Sequence, residues 1–249
     1  TKVSVIKNTL RVVNNRVPVL VGITDTSFHE SLKLEKIAAE SGAHFVVAAP
    51  PFYYHVTQAE LLEYYTDLAR NITLPLYLYN MPSRTNISID IDTVEKTVLI
   101  PGIIGIKDSS CDFFYLQKLL YVLGKYPEFS VFVGPEEFLA QSVQLGANGG
   151  VNGGANLFPE LYVKLFNAAS ENDIDLVNRL QNVVTQISST LYQIGEGQPN
   201  FIKILKEAMY QKGICQPYMA KPYIPYFDSE KLQIAECLSK IELASTVKV

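Results

Sequence analysis

The chain has 249 residues, 48% of them hydrophobic, and its 21 basic and 25 acidic side chains leave a formal net charge of −4. That length suits one large α/β domain or two small ones, and the thin, mildly acidic charge excludes the concentrated basic face that nucleic acid requires. No stretch approaches the roughly 20 consecutive apolar residues of a membrane helix.

Residues 1–16, TKVSVIKNTLRVVNNR, read as an amphipathic helix, not as a charged start before an apolar signal core. Six short apolar runs then follow, at 17–23, 43–50, 75–82, 103–110, 129–137 and 149–156. Between them lie segments such as SLKLEKIAAESG and QAELLEYYTDLARN, with apolar residues at i, i+3, i+4 and i+7. Helix patterns end near Gly42, Pro75 and Gly146. Strands apolar on both faces that alternate with helices predict a parallel sheet covered by helices. A dinucleotide-binding fold wants GxGxxG after its first strand, and TDTS stands there instead. The regular repeat of about 30 residues predicts a (β/α)8 TIM barrel. Only six βα units can be counted, so the first two units are expected to precede Thr1. Residues 1–157 read as the six-stranded partial barrel, and 158–249 as its last helix with a C-terminal helical region.

Cys111, Cys215 and Cys237 show no CxxC spacing and are odd in number, which predicts a reduced, cytoplasmic protein with these thiols as small buried hydrophobes. His29, His44 and His55 lie in different elements without ligand spacing, so no metal site is expected.

In such a barrel, chemistry sits at the C-terminal ends of the strands. There the sequence places Asp25, Thr26, Tyr53, Tyr54, Tyr79, Arg84, Lys107, Glu136, Glu137 and Asn152, a set with a lysine and several tyrosines but no carboxylate cluster suited to a metal. Lys107 ends GIIGIK, among Ile103, Ile104 and Ile106. Loss of water favours the neutral form of an amine, and a neutral amine attacks a ketone to form a Schiff base, an electron sink for making or breaking carbon–carbon bonds. The alternative is a lysine that snorkels from the strand end into solvent. In LYLYNMPSRT, alternation sets Tyr77 and Tyr79 on one face and Leu76 and Leu78 on the other. A Tyr79 hydroxyl at the strand end can relay protons, or it can be a half-buried aromatic satisfied by backbone. Arg84 in the following loop suits bidentate binding of a carboxylate, or is an ordinary surface arginine.

YNMPSRT followed by GIKDSS resembles the dihydrodipicolinate synthase/N-acetylneuraminate lyase family of pyruvate-dependent class I aldolases, and the resemblance runs from RVPVLVGI through APPFYY to the helical tail. It implies that Lys107 forms the Schiff base and that Tyr79 shuttles protons to it. It also implies that Tyr53 of PPFYY reaches into a neighbouring subunit's site, in a homodimer often paired into a homotetramer. GGVNGGAN matches the family's last barrel strand, where the carbonyl at Val151 faces the Schiff base. Asn152, Gly153 and Gly154 depart from the usual Ser-Val pattern and leave room for a longer, hydroxylated substrate. Gly134, in FVGPEE, joins Arg84, Val151 and Asn152 as an expected substrate-binding position. No cofactor is expected, because the lysine itself carries the electrophile. The family's TTGE-like loop, which binds the carboxylate of pyruvate, is absent from this sequence, so the polypeptide alone is expected to be inactive or poorly folded.

Arg84 favours the synthase branch, which condenses pyruvate with aspartate semialdehyde. Asp108 after the lysine, Pro135 and Glu136, and the altered last strand favour aldolases of 2-oxo-3-deoxy sugar acids or related 2-oxo acids, and this is the preferred reading. A dehydratase of 2-oxo acids and a non-catalytic ligand-binding relative are the lesser alternatives.

Overall fold

A computed structural model describes residues 1–195 and 200–246 of the chain. Each of the six apolar runs contains a strand: β1 Leu20–Gly22, β2 Phe45–Ala48, β3 Leu76–Asn80, β4 Ile103–Asp108, β5 Ser130–Val133 and β6 Gly149–Gly150. They form one sheet in sequential order, β1 to β6, and the ladders joining β1 through β5 are all parallel. The fold is thus α/β with a parallel sheet, as the alternation of runs predicts. By chain contacts it divides into two units, Thr1–Gly134 with Leu145–Gly149, and Pro135–Gln144 with Gly150–Val249.

In the first unit, one face of the sheet is almost dry. Val46, Ala48, Leu76, Leu78, Ile106 and Val133 have no solvent exposure. Each of the larger aliphatic side chains contributes about 1.5–3 kcal/mol through that burial. The helices of this unit are α1 Lys2–Val13, α2 Phe28–Glu40, α3 Gln58–Asn71, α4 Pro82–Thr85, α5 Ile91–Thr97 and α6 Phe113–Leu123. Their starts are written locally. Ser27 accepts the Glu30 N–H at α2, and Asp112 accepts the Tyr115 N–H at α6. At α3, Thr57 and Glu60 form a reciprocal capping box. The buried Glu35 of α2 accepts the Thr73 N–H and hydroxyl at 2.8 Å and the Leu74 N–H at 3.0 Å, which anchors the turn that delivers β3.

The other face of the sheet carries aromatics. Tyr77 stands edge-on to Phe45 and to Phe132, with ring centroids 5.7 Å apart in both pairs. Its ring lies over Gly105, where a Cβ would meet Tyr77 ring carbon at 2.5 Å and the Ser130 carbonyl at 2.5 Å. The β3–β4 register shifts at this point. Leu76 pairs with Ile103 but Tyr77 pairs with Gly105, so Ile104 is the extra residue of a bulge.

This geometry corrects one expectation. Ile103 and Ile106 pair with Leu76 and Leu78 and share their covered face, whereas Lys107 pairs with Tyr79 and Phe132 on the opposite one. The isoleucines therefore do not surround the Lys107 side chain, because alternation turns it away from them. The cysteines also differ from expectation: Cys111 is exposed, and Cys215 and Cys237 are half-buried. Cys111 sits in a left-handed turn (φ 60°) just before α6, where the chain leaves the core.

The second unit contains α7 Leu139–Gln144, and after Phe158 the chain is helical, as predicted, with α8 Pro159–Ser170, α9 Ile174–Thr190, α10 Asn200–Gln211 and α11 Asp228–Thr246. Ile187, Leu191, Ile204, Ala208, Ile234 and Ile241 form its core. Of the run 149–156 only two residues are strand, and Gly153–Asn156 forms a 3₁₀ turn. Glycine-rich backbone has few side chains to hold it in a pleat. Among the described residues, no helix is long and apolar enough to cross a membrane.

Gly105→Ala should lower stability by about 1–3 kcal/mol, the range for overpacking a filled site. A urea melt checks this, and an unchanged midpoint would show that both the Tyr77 ring and the Ser130 carbonyl give way without cost.

Candidate active site

Parallel pairing sets Tyr79 of β3 directly opposite Lys107 of β4. Both side chains are half-buried. The Lys107 Nζ donates to the Tyr79 hydroxyl at 3.3 Å and lies 4.4 Å from the Tyr79 ring centroid. That hydroxyl in turn donates to Met81 Sδ at 2.6 Å. A chain of two donors thus runs from the amine through the phenol to a thioether, a weak acceptor that leaves the phenol proton easy to redirect. Met81 escaped the sequence reading because nothing in YNMP marks its sulfur as a partner of Tyr79.

Behind this pair, on the covered face, two polar side chains are buried where aliphatics otherwise stand. Asn80 is 0% exposed and Asp108 1%. Asn80 Nδ2 donates to Asp108 Oδ1 at 2.8 Å, and Asn80 Oδ1 accepts the Ile89 N–H at 3.0 Å. The Ser110 hydroxyl donates to Asp108 Oδ2 at 3.0 Å. Burial pushes the Asp108 carboxyl up from its ordinary value, while the donors from Asn80 and Ser110 pull it down.

The remaining sequence-predicted positions fall as follows. Gly134, at the end of β5, donates its N–H to the Asp108 carbonyl at 2.7 Å. A side chain there would collide with the buried Ser109. Arg84 is exposed in α4, the single turn that follows β3. Tyr53 and Tyr54, in the loop after β2, are 75% and 78% exposed and pack edge-to-face with centroids 4.9 Å apart. The structure brings Tyr79 to Lys107 and leaves Tyr53 and Arg84 open to solvent. Val151 and Asn152 belong to the second unit, Val151 exposed and Asn152 buried. Among the described residues, no group of three or more His, Cys, Asp and Glu side chains is placed to hold a metal ion.

The second unit has a polar centre of its own. Glu136 is 4% exposed, and its Oε2 accepts the Gly154 N–H at 2.7 Å. The Tyr162 and Tyr192 hydroxyls converge on the same spot, so that a Cβ at Gly154 would collide with all three side chains. Burial raises the Glu136 carboxyl above its ordinary range, against the Tyr192 hydroxyl and the Gly154 N–H, which lower it.

Residues 1–241 match the model of the dihydrodipicolinate synthetase family. The chain belongs to that family. A protein of Escherichia coli K12 described as the probable 2-dehydro-3-deoxy-D-pentonate aldolase YjhH is 30% identical, over 92% of this chain and 76% of its own. A 4-hydroxy-tetrahydrodipicolinate synthase of Staphylococcus saprophyticus is also 30% identical, over 97% of this chain and 79% of its own. The structure of dihydrodipicolinate synthase from Bacteroides thetaiotaomicron superposes with a TM-score of 0.93 at 46% identity, covering 96% of this chain and 80% of that one. YagE of E. coli K12, a family member solved in complex with pyruvate, superposes at 0.90 and 27% identity, covering 97% and 81%. Aldolase and synthase names thus stand side by side among the family relatives.

Because burial raises the Glu136 carboxyl in the folded protein, between its ordinary value and the raised one the native state holds more of that proton than the unfolded chain does, and stability falls as pH rises through that interval. Glu136→Gln keeps an acceptor for Gly154 and removes the charge. The variant should be more stable than its parent at about pH 7, with the difference fading towards about pH 4. Urea melts at the two pH values check this, and equal stability at neutral pH contradicts it.

Proposed function

We propose that this protein is a class I lyase that forms a Schiff base between Lys107 and the ketone of a 2-oxo acid. The observation that carries the proposal is the 3.3 Å contact between the Lys107 amine and the Tyr79 hydroxyl. The neutral amine adds to the ketone carbon, and the Tyr79 phenol gives its proton to the carbinolamine oxygen, which leaves as water. The resulting imine draws electrons from the neighbouring carbon. In the cleaving direction the bond between carbons 3 and 4 breaks, and the hydroxyl proton on carbon 4 passes to a base as the aldehyde forms. The electron pair is held as an enamine. Protonation at carbon 3 and hydrolysis of the imine then release pyruvate and restore the lysine.

The preferred substrate is a 2-oxo-3-deoxy sugar acid or a related 2-oxo acid, a reading supported by the aldolase relative at 30% identity. Condensation of pyruvate with aspartate semialdehyde is the second reading, favoured by the 46% identity to a dihydrodipicolinate synthase structure and by the exposed Arg84. Asp108 and Glu136 accept hydrogen bonds from buried partners within the fold, the Asn80 amide and the Gly154 N–H, and so do not discriminate between the two readings. Substrate binding by Arg84, Gly134, Val151 and Asn152 belongs to the same proposal. So do a cytoplasmic location and a homodimer or homotetramer in which the exposed Tyr53 serves a neighbouring subunit.

Full-length protein should release pyruvate from 2-oxo-3-deoxy sugar acids, and consumption of pyruvate with aspartate semialdehyde would transfer it to the second reading. Lys107→Ala should abolish turnover, and Tyr79→Phe should slow it by on the order of 10²–10⁴-fold, the usual contribution of a positioned proton donor. Full turnover by Lys107→Ala would refute the imine mechanism.

A further inference from the structure

The polar groups behind the strands have a consequence for the pair in front of them. Asn80 and Asp108 follow Tyr79 and Lys107 directly, and they pair with each other across β3 and β4 in the same register. Alternation puts them on the helix-covered face, where every other inward position of β3 is a fully buried leucine. A buried polar pair in such a place is costly unless satisfied, and here it is satisfied through several elements. Asn80 joins Asp108 to the Ile89 N–H, and the Tyr115 hydroxyl of α6 donates to the Ile89 carbonyl at 2.6 Å. The Ser109 N–H donates to the Asn80 carbonyl at 2.8 Å, and the Gly134 N–H to that of Asp108 at 2.7 Å. Ser110 closes the loop onto Asp108 through its hydroxyl at 3.0 Å.

We infer that Asn80 and Asp108 are positioning residues, a cross-strand clasp that fixes the ends of β3 and β4 so that the Tyr79 hydroxyl stays within reach of the Lys107 amine. This rests on the Schiff-base reading and deepens it. The bulge at Ile104 makes the clasp necessary. One residue of slack already exists in this ladder, and a further slip would carry Lys107 to the other face. The clasp sits at the last pair of the ladder, where strand ends otherwise fray. Aliphatic side chains could fill the same volume, but only a directional hydrogen bond sets the register to a few tenths of an ångström. A displacement of about 1 Å between reacting groups can cost on the order of 10²-fold in rate.

The test uses exchange of the pyruvate methyl protons with deuterium in D₂O, followed by proton NMR on the full-length protein. Exchange reports imine and enamine formation without requiring an acceptor aldehyde. Asn80→Ala removes the bridge, and Asn80→Ser serves where alanine prevents folding, because its hydroxyl is too short to span to Asp108 and Ile89 together. Asp108→Asn keeps an oxygen for Asn80 and an amide that can donate to Ser110. With rates normalised to folded protein, either Asn80 variant should lower kcat for exchange at least ten-fold while the pyruvate KM stays within two-fold. Asp108→Asn should keep kcat within three-fold of the parent. Folded Asn80 variants with parental kcat, or with kcat and KM worsening together, would overturn the clasp while leaving the imine reading intact. A parent protein that exchanges nothing would overturn the imine reading and the clasp with it.

Discussion

Parallel pairing of two neighbouring strands is the constraint on which the site depends. A lysine and a tyrosine separated by 28 positions in the chain become direct neighbours because β3 and β4 run side by side in one register. Neither residue has unusual chemistry alone. Their contact is created by a backbone ladder, and anything that shifts the ladder by one residue removes it. Much of the surrounding structure serves to hold that ladder. Glu35 anchors the turn into β3, the Tyr77 ring seats over Gly105, and the Asn80–Asp108 pair lies behind the strand ends.

The two faces of the sheet divide the labour. The face towards the helices is filled with aliphatics and supplies most of the hydrophobic driving force. The opposite face carries Phe45, Tyr77 and Phe132 in edge-to-face contact, with Lys107 and Tyr79 beyond them at the strand ends. An aromatic floor with an amine and a phenol above it suits a small polar substrate. The phenol gives its proton to Met81 Sδ, a weak acceptor from which a substrate oxygen can take it.

The alternation of apolar runs with amphipathic segments was sufficient to locate all six strands, the opening helix and the helical stretch after Phe158, because burial on both faces leaves a continuous apolar signature. The apposition of Lys107 and Tyr79 could also be read, since each stands near the C-terminal end of its apolar run. What stayed hidden depends on register. The bulge at Ile104 turns Ile103 away from the face that carries the lysine, and no local pattern marks it. Asn80 and Asp108 look like loop-ward polar residues until the pairing shows them buried against each other. Glu136 looked like a substrate-site position, and only the approach of Gly154, Tyr162 and Tyr192 shows a carboxyl enclosed within the second unit. The exposure of Cys111 follows from a left-handed turn that its neighbours do not announce.

The central claim is that the amine held against Tyr79 is a nucleophile towards a 2-oxo acid. Its most direct test is to treat the full-length protein with pyruvate and sodium borohydride, digest it, and weigh the peptide that contains Lys107. The account predicts one reduced pyruvyl adduct on that peptide, located on Lys107. An unmodified Lys107 peptide, or an adduct carried elsewhere, would contradict it.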